Sequence, residues 1–163
     1  MILSGTGHRP DKLAWGYKKE GIEFLVSVAT VKLEELKPSE VISGMALGWD
    51  TGLAIAALRL NIPLIAAVPF LGQEKQWPEQ SQRLFNRILE KAKRVEIVCS
   101  GEYSAWKMQV RNNWMVDNSD KVLALWNGTE GGTSNCVKYA RKQNKEIINC
   151  WELYESMLPP WDV

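Results

Sequence analysis

Short apolar runs alternate with longer amphipathic stretches along the whole of this 163-residue chain. The runs of strand length cover residues 1–4, 40–43, 62–68, 95–98, 121–126 and 146–149. Between them, apolar side chains recur at the spacing of a helix with one buried face. Strands that alternate with helices pair in parallel through right-handed crossovers. The sequence therefore predicts a three-layer α/β fold, with a mainly parallel sheet between two layers of helices.

Residues that start or stop helices mark several of the predicted boundaries. Pro38 ends the first long helix, and Pro78 suits the first position of a later one. The expected N-caps of other helices are Asp50 or the residue after it, Ser104, and Thr133 or the residue after it. Segment 72–80, rich in Gly, Pro and polar residues, fits either a mobile lid or a plain surface loop.

The composition is that of an ordinary globular protein, and we expect a single domain spanning residues 1–163. Apolar residues make up 45% and charged residues 24%, and the formal net charge is +1. Because proteins that bind nucleic acid generally carry a strong basic excess, this balance disfavours general nucleic-acid binding. The most apolar stretch, 53–71, is interrupted by Arg59, Asn61 and Pro63, so no membrane span is expected.

The cysteines and the N-terminus indicate a cytoplasmic protein. Cys99, Cys136 and Cys150 are odd in number and far apart, which suits a reducing compartment better than a disulfide framework. With His8 as the sole histidine, a Cys/His metal site is not expected, and no cofactor is predicted. The first residues show no basic segment followed by an apolar stretch, which is the pattern of a signal peptide.

Three groups of glycines follow predicted strands, within segments 5–7, 44–48 and 128–132. The carboxyl ends of parallel strands form one edge of a sheet, and ligands bind at that edge. Glycine lets the backbone approach a ligand closely, and the second and third groups lead into helices whose free N–H groups favour a phosphate. The pattern predicts a phosphorylated, nucleotide-like ligand; plain strand-to-helix turns are the alternative.

The residues expected to contact this ligand come from the three loops and from a later helix. They are Gly5, Thr6, Gly7, His8, Arg9, Gly44, Gly48, Asp50, Arg111, Asn112, Gly131, Gly132 and Thr133. His8 and Arg9 can bond to a phosphate or hold the loop in place. Asp50 either caps a helix or contacts a ribose hydroxyl. Arg111 and Asn112 lie mid-helix, on a polar face that points either into the cleft or into water.

Four motifs in this order resemble one known family. They are GTGHRP at 5–10, SGMALGWD at 43–50, RN at 111–112 with MVD at 115–117, and GGT at 131–133. Together they are similar to the YpsA-like branch of the SLOG superfamily, Rossmann-like proteins related to DprA and the Lonely Guy enzymes. The resemblance runs from Met1 to about Trp151 and implies a Rossmann-like fold. It also implies a ligand that is a nucleotide or a nucleotide derivative, such as an ADP-ribose-like signal.

The relationship to Lonely Guy proteins, which are phosphoribohydrolases, makes nucleotide cleavage an alternative. Their signature resembles PGGxGTxxE, in which the final Glu acts on the ribose. Gly132 and Thr133 match it, but Cys136 stands where that Glu is expected, with Asn135 next to it, and neither is a carboxylate. Acid–base catalysis needs such a group, so the candidate catalytic carboxylates become Asp50 and Asp117.

We therefore predict a protein that binds a nucleotide-like small molecule at the carboxyl ends of the strands, as a sensor or a sequestering protein. One alternative is an N-glycosidase or phosphoribohydrolase that acts on nucleotides. Another is a protein-interaction adaptor with a vestigial cleft, which a blocking side chain such as Trp49 would indicate. Eight tryptophans, with Trp106 and Trp114 on one helix face, predict a homo-oligomer with tryptophan at its interface.

Overall fold

A computed structural model describes residues 1–160, and the last residues of the predicted domain, 161–163, lie outside the described part. Its strands are β1 (Ile2–Gly7), β2 (Glu40–Ser43), β3 (Leu64–Val68), β4 (Arg94–Ile97), β5 (Lys121–Leu125) and β6 (Glu146–Asn149). Its helices are α1 (Lys19–Leu36), α2 (Trp49–Arg59), α3 (Glu79–Lys91), α4 (Ala105–Asp117), α5 (Gly132–Lys142) and α6 (Trp151–Met157). A short 3-10 turn, Pro10–Lys12, follows β1 and has no counterpart among the predicted elements.

The strands form one parallel sheet in the order β4-β3-β2-β1-β5-β6. β1 is internal to this sheet, since Leu3 pairs with Val41 of β2 on one side and with Lys121 of β5 on the other. From β1 the chain moves outward to β4 and then returns across the sheet to β5. This order confirms the predicted α/β fold with a mainly parallel sheet, and its topology is Rossmann-like.

The helices lie in two layers, one on each face of the sheet. Because parallel crossovers are right-handed, a reversal in the direction of strand order moves the connecting helices to the opposite face. Accordingly, α1 packs against α2 and α6 and α2 against α3 on one face, and α4 packs beside α5 on the other. The larger core surrounds Trp49 and Leu53 on the first face, and Met115 belongs to a smaller cluster on the second. Within residues 1–160, no helix combines the length and apolarity needed to cross a bilayer.

Two predicted N-caps are wrong, because glycines with a left-handed backbone stand at those positions. Gly48, with φ of 92°, caps α2, and Asp50 lies inside the first turn of that helix. Gly131, with φ of 142°, caps α5, so Thr133 also lies inside its helix. Residues other than glycine rarely adopt these φ values. The path by which each loop enters its helix therefore requires a glycine at the cap.

Other boundaries shift by a few residues. β1 continues to Gly7 because its pairing with β5 extends as far as Leu125. Pro78 is the N-cap of α3 rather than its first residue. Ser104 is the N-cap of α4 as predicted, although its side chain makes no capping hydrogen bond. Segment 72–80 consists mainly of turns and ends in the first residues of α3.

Candidate functional site

A cavity of about 250 Å³ opens at the carboxyl edge of the sheet, beside the end of β1. The connection after β1 leads toward β2, whereas the connection after β5 leads the opposite way toward β6. Such a divergence leaves a crevice in which open parallel sheets bind ligands. Its lining residues are Gly5, Thr6, Gly7, His8, Arg9, Asp11, Lys12, Ala46, Asp50, Met108, Arg111, Asn112, Gly132 and Thr133.

Most of the residues predicted from the sequence meet in this cavity. Gly44, Gly48 and Gly131 contact or adjoin lining residues without lining the cavity themselves. Asp117 is not brought to it: this exposed residue ends α4 and accepts a hydrogen bond from the Tyr139 hydroxyl at 2.8 Å. Helices that connect parallel strands run back toward the opposite edge of the sheet, so the end of α4 is remote from the cavity.

The glycine that ends β1 and the glycine that caps α2 make room for protein atoms. A Cβ on Gly7 would lie 2.5 Å from the side chain of Trp49, which is fully buried between α2 and the sheet. A Cβ on Gly48 would lie 2.5 Å from the His8 carbonyl oxygen. An added Cβ on Gly132, by contrast, meets no atom within 4 Å. The backbone of the third loop is therefore open to a ligand.

Asp50 and Arg111 place opposite charges on the cavity wall, almost out of contact with water. Asp50 is 7% exposed and Arg111 is 4% exposed. The Asp50 Oδ2 accepts a hydrogen bond from the Ala46 N–H at 3.3 Å, and the Arg111 guanidinium donates to the Gly44 carbonyl. Burial raises the pKa of Asp50, and the positive charge of Arg111 opposes that shift. A carboxylate near a guanidinium suits ribose hydroxyls, which can donate to the first and accept from the second.

The start of α5 and two cations lie at one end of the cavity, where Asp11 also lines the wall. Gly132 and Thr133 line it, and the first N–H groups of a helix have no partner within that helix. Lys12 reaches the loop before α5, since its Nζ donates to the Thr129 hydroxyl at 3.4 Å. The exposed side chain of Arg9 adds a second cation. Free N–H groups, the helix dipole and cations together favour a phosphate group.

The His8 ring joins the loop after β1 to the loop after β5. Its Nε2 lies 2.9 Å from both the backbone nitrogen and the side-chain oxygen of Asn127. Nε2 can accept from that N–H or donate to that oxygen, according to which ring nitrogen carries the proton. Burial lowers the pKa of His8 and favours the neutral ring, whereas the bond with the Asn127 side chain opposes that shift. His8 therefore positions two loops that border the cavity.

Cys136 lies behind Thr6 and is a poor nucleophile. Burial raises the pKa of its thiol to about 11, and a hydrogen bond with the Thr6 side chain opposes that shift. Only the thiolate form attacks an electrophile readily, so this thiol is unreactive near neutral pH. Among the residues that the structure describes, no group of three or more His, Cys, Asp and Glu side chains is arranged to hold a metal ion.

Lining residues that the sequence analysis missed are Asp11, Lys12, Ala46 and Met108. Met108 precedes Arg111 by three positions and Asn112 by four, so the three side chains share one face of α4. That spacing is a signal that identifies Met108. Lys12 comes two residues after the GTGHRP motif, with Asp11 between them. A cation next to a predicted phosphate-binding loop is the signal that could have identified Lys12.

Comparison with known proteins leads to one family. The YpsA family model, described as the YspA SLOG family, matches residues 3–153. The SPbeta prophage-derived protein YoqJ of Bacillus subtilis (strain 168) is 33% identical over 130 residues, which are 68% of this chain and 76% of YoqJ. A UPF0398 protein of Bacillus thuringiensis (strain Al Hakam) is 26% identical over 160 residues, which are 91% of this chain and 86% of that protein.

A solved structure shares the fold at low sequence identity. DNA processing protein A (DprA) from Streptococcus pneumoniae matches with a TM-score of 0.65 and 20% identity. The match covers 96% of this chain and 56% of the DprA chain, so this chain spans little more than half of that protein's length. The likeness agrees with the Rossmann-like topology of the sheet.

Proposed function

Because this chain belongs to the YspA SLOG family, we propose that it binds a nucleotide or a nucleotide-derived molecule, such as an ADP-ribose-like signal. One observation carries the proposal: a single cavity at the carboxyl edge of the sheet combines a helix N-terminus, cations and a buried carboxylate. Groups of this kind bind phosphate and ribose in other proteins with open parallel sheets.

In this proposal the phosphate lies at the start of α5. It accepts hydrogen bonds from the N–H groups of Gly132 and Thr133 and faces the charges of Lys12 and Arg9. The ribose lies toward Asp50, whose carboxylate accepts hydrogen bonds from the hydroxyl groups. The ligand is thus oriented by its phosphate at one end and its sugar in the middle of the cavity.

We assign the protein the role of a sensor or a sequestering protein. Acid–base catalysis needs a positioned group and typically contributes about 10²–10⁴-fold in rate. The thiol of Cys136 is buried with a raised pKa, and the Nε2 of His8 is engaged by Asn127. The fully buried Trp49 is not among the lining residues, so it does not block the cavity as a vestigial cleft would require.

Asp50 favours nucleotide hydrolysis as the second candidate function. Its carboxyl lines the cavity, and burial raises its pKa, as in many general acids. We nevertheless expect slow or undetectable release of free base when the protein is incubated with nucleoside monophosphates or ADP-ribose and the products are separated by chromatography. Rapid release that Asp50→Asn abolishes would replace the sensor role by that of an N-glycosidase.

Titration calorimetry with adenosine monophosphate and ADP-ribose tests binding directly. We expect Lys12→Ala to weaken binding roughly tenfold, since it removes a cation that faces the phosphate. Lys142→Ala removes the same charge from the exposed last turn of α5 and should leave the affinity unchanged. Absence of binding to the unmodified protein, or equal affinities in all three proteins, would contradict the proposed function.

A further inference from the structure

Helices α1, α2 and α3 form a groove of about 360 Å³ on the face of the sheet opposite α4 and α5. We call it the α3 groove. Its lining residues fall within 19–23 of α1, 55–59 of α2 and 84–91 of α3. None of them lines the cavity proposed for the nucleotide. The groove is therefore a separate surface of the protein.

The floor of the α3 groove is aliphatic. Leu84 and Ile88 lie four positions apart on α3, and Ile55 and Leu58 lie three apart on α2, so each pair shares one face of its helix. With Ile22 of α1, these side chains belong to the main core cluster or pack against it. All but Ile88 are only partly buried, so some of their apolar surface faces the groove.

Cations surround this floor. Arg87 and Lys91 lie four positions apart on α3, and Lys19 lies on α1. All three are exposed, and none forms an ion pair within the described part of the chain. Glu23, the one acidic residue among the described lining residues, is already bonded to Arg59 at 3.1 Å. Because the whole chain has 20 basic and 19 acidic residues, this groove carries a local excess of positive charge.

An open depression of about 610 Å³ continues the groove past the end of α2. The groove and the depression share Leu58, Arg59 and Lys91 as lining residues. The depression adds Lys93, whose Nζ is bonded to Glu40 at 2.7 Å. The part of α3 that lines the groove spans about 10 Å, or roughly two helical turns. A bound segment therefore has room to be longer than two turns.

We propose that the α3 groove binds an acidic amphipathic helix of a partner protein. The apolar face of that helix packs against Ile55, Leu58 and Leu84, and its carboxylates face Arg87 and Lys91. Amphipathic helices bind apolar grooves in this manner in other proteins, with charge complementarity at the rim. The inference does not depend on the proposed function, because the groove and the nucleotide cavity share no lining residue.

The floor of the groove favours a protein partner over a nucleic acid, although the cations attract either. Bases of single strands stack on aromatic side chains. None of the described residues that line the groove or the depression is aromatic. Phosphate groups bond to polar groups and gain nothing from an aliphatic surface, whereas an amphipathic helix buries its apolar face there.

Fluorescence anisotropy with a labelled synthetic peptide measures binding to the groove. The peptide spans about four helical turns, with leucines on one face and glutamates on the others. One control peptide carries lysine in place of each glutamate, and a second has the same composition with its leucines distributed around the helix. We expect the acidic peptide to bind at micromolar concentrations and both controls to bind roughly tenfold or more weakly.

A matched pair of substitutions locates the binding site. Lys91→Glu should weaken binding of the acidic peptide roughly fivefold, because it turns an attraction at the rim of the groove into a repulsion. Lys142→Glu is the control, since Lys142 is the exposed last residue of α5 just as Lys91 is that of α3. It should leave the affinity unchanged, and both proteins should keep the melting temperature of the unmodified protein.

Four results would each overturn the proposal. The acidic peptide fails to bind, or it binds no better than the lysine peptide. The two substitutions weaken binding equally. A single-stranded oligonucleotide binds and Lys91→Glu abolishes that binding, which would assign the cations to a nucleic acid. Light scattering without peptide shows that Lys91→Glu alone dissociates an assembly, which would assign the groove to a second copy of this chain.

Discussion

The His8 ring is buried at the meeting point of the loops after β1 and β5, and burial lowers its pKa. Protonation makes Nε2 a donor, which keeps its bond to the Asn127 oxygen and removes its bond from the Asn127 N–H. Those two loops carry Arg9 on one side of the cavity and precede Gly132 on the other. The charge of the His8 ring therefore affects one of the contacts that join these two loops.

We expect the free energy of unfolding to fall as the pH is lowered below 6.5, the ordinary pKa of histidine. A folded-state pKa below the unfolded value means that the unfolded chain binds more protons in this range, so acid favours unfolding. The slope is at most about 1.4 kcal/mol per pH unit. The raised pKa of Asp50 acts in the opposite sense, since the folded state then binds the proton more tightly.

Urea unfolding between about pH 5.5 and about 7, the range in which histidine titrates, measures this dependence. His8→Gln should remove the fall in stability toward acid, because His8 is the sole histidine of the chain. The same slope in both proteins would show that the His8 ring is not kept neutral by folding.

The starts of α2 and α5 are built alike, yet their glycines serve different ends. Each helix follows a strand and is capped by a glycine with φ in the left-handed region. α2 lies against β1 so closely that Gly7 and Trp49 touch, whereas the first residue of α5 faces open space. Helix packing thus explains the glycines beside α2, whereas the backbone at the start of α5 is open to a ligand.

A pair of glycine substitutions separates these two roles. Gly132→Val should weaken binding of adenosine monophosphate in calorimetry while leaving the melting temperature nearly unchanged, because its side chain enters the space proposed for phosphate. Gly7→Ala should destabilise the fold by about 1–3 kcal/mol in urea unfolding, since its methyl group overlaps the buried Trp49. A folded Gly132→Val protein with full affinity would count against a phosphate at α5.

At the scale of the whole molecule, α4 presents an apolar strip to the outside. Trp106 is 61% exposed and Val110 is 38% exposed, and their spacing puts them on one face of the helix. Trp114 is instead partly buried and packs against the core cluster around Met115. Exposed aromatic residues of this kind are enriched at protein interfaces, so the homo-oligomer remains a prediction.

Light scattering over a range of concentrations measures the assembly. We expect the mass of a two-chain species for the unmodified protein and the mass of one chain for Trp106→Glu, because a buried charge at an interface is costly. Val31→Glu places the same charge at another exposed apolar residue, on α1, and should not change the mass. A mass of one chain for the unmodified protein at all working concentrations would remove the prediction.

Local pattern alone determined the order of strands and helices, the fold class and the edge at which the site lies. Apolar spacing distinguishes strands from helices, and alternation of the two requires parallel pairing. Because all carboxyl ends of parallel strands meet at one edge, the positions of His8, Asp50 and Gly132 after their strands were enough to bring them together. The motifs of these loops were also enough to indicate the family.

Only the tertiary structure decided what each residue at that edge contacts. Gly7 accommodates Trp49 because α2 packs on β1, and no local pattern states how closely a helix approaches a strand. Asp117 lies away from the cavity because α4 runs back across the sheet. Contacts of this kind join residues far apart in the chain, so their distances follow from the packing of the whole domain.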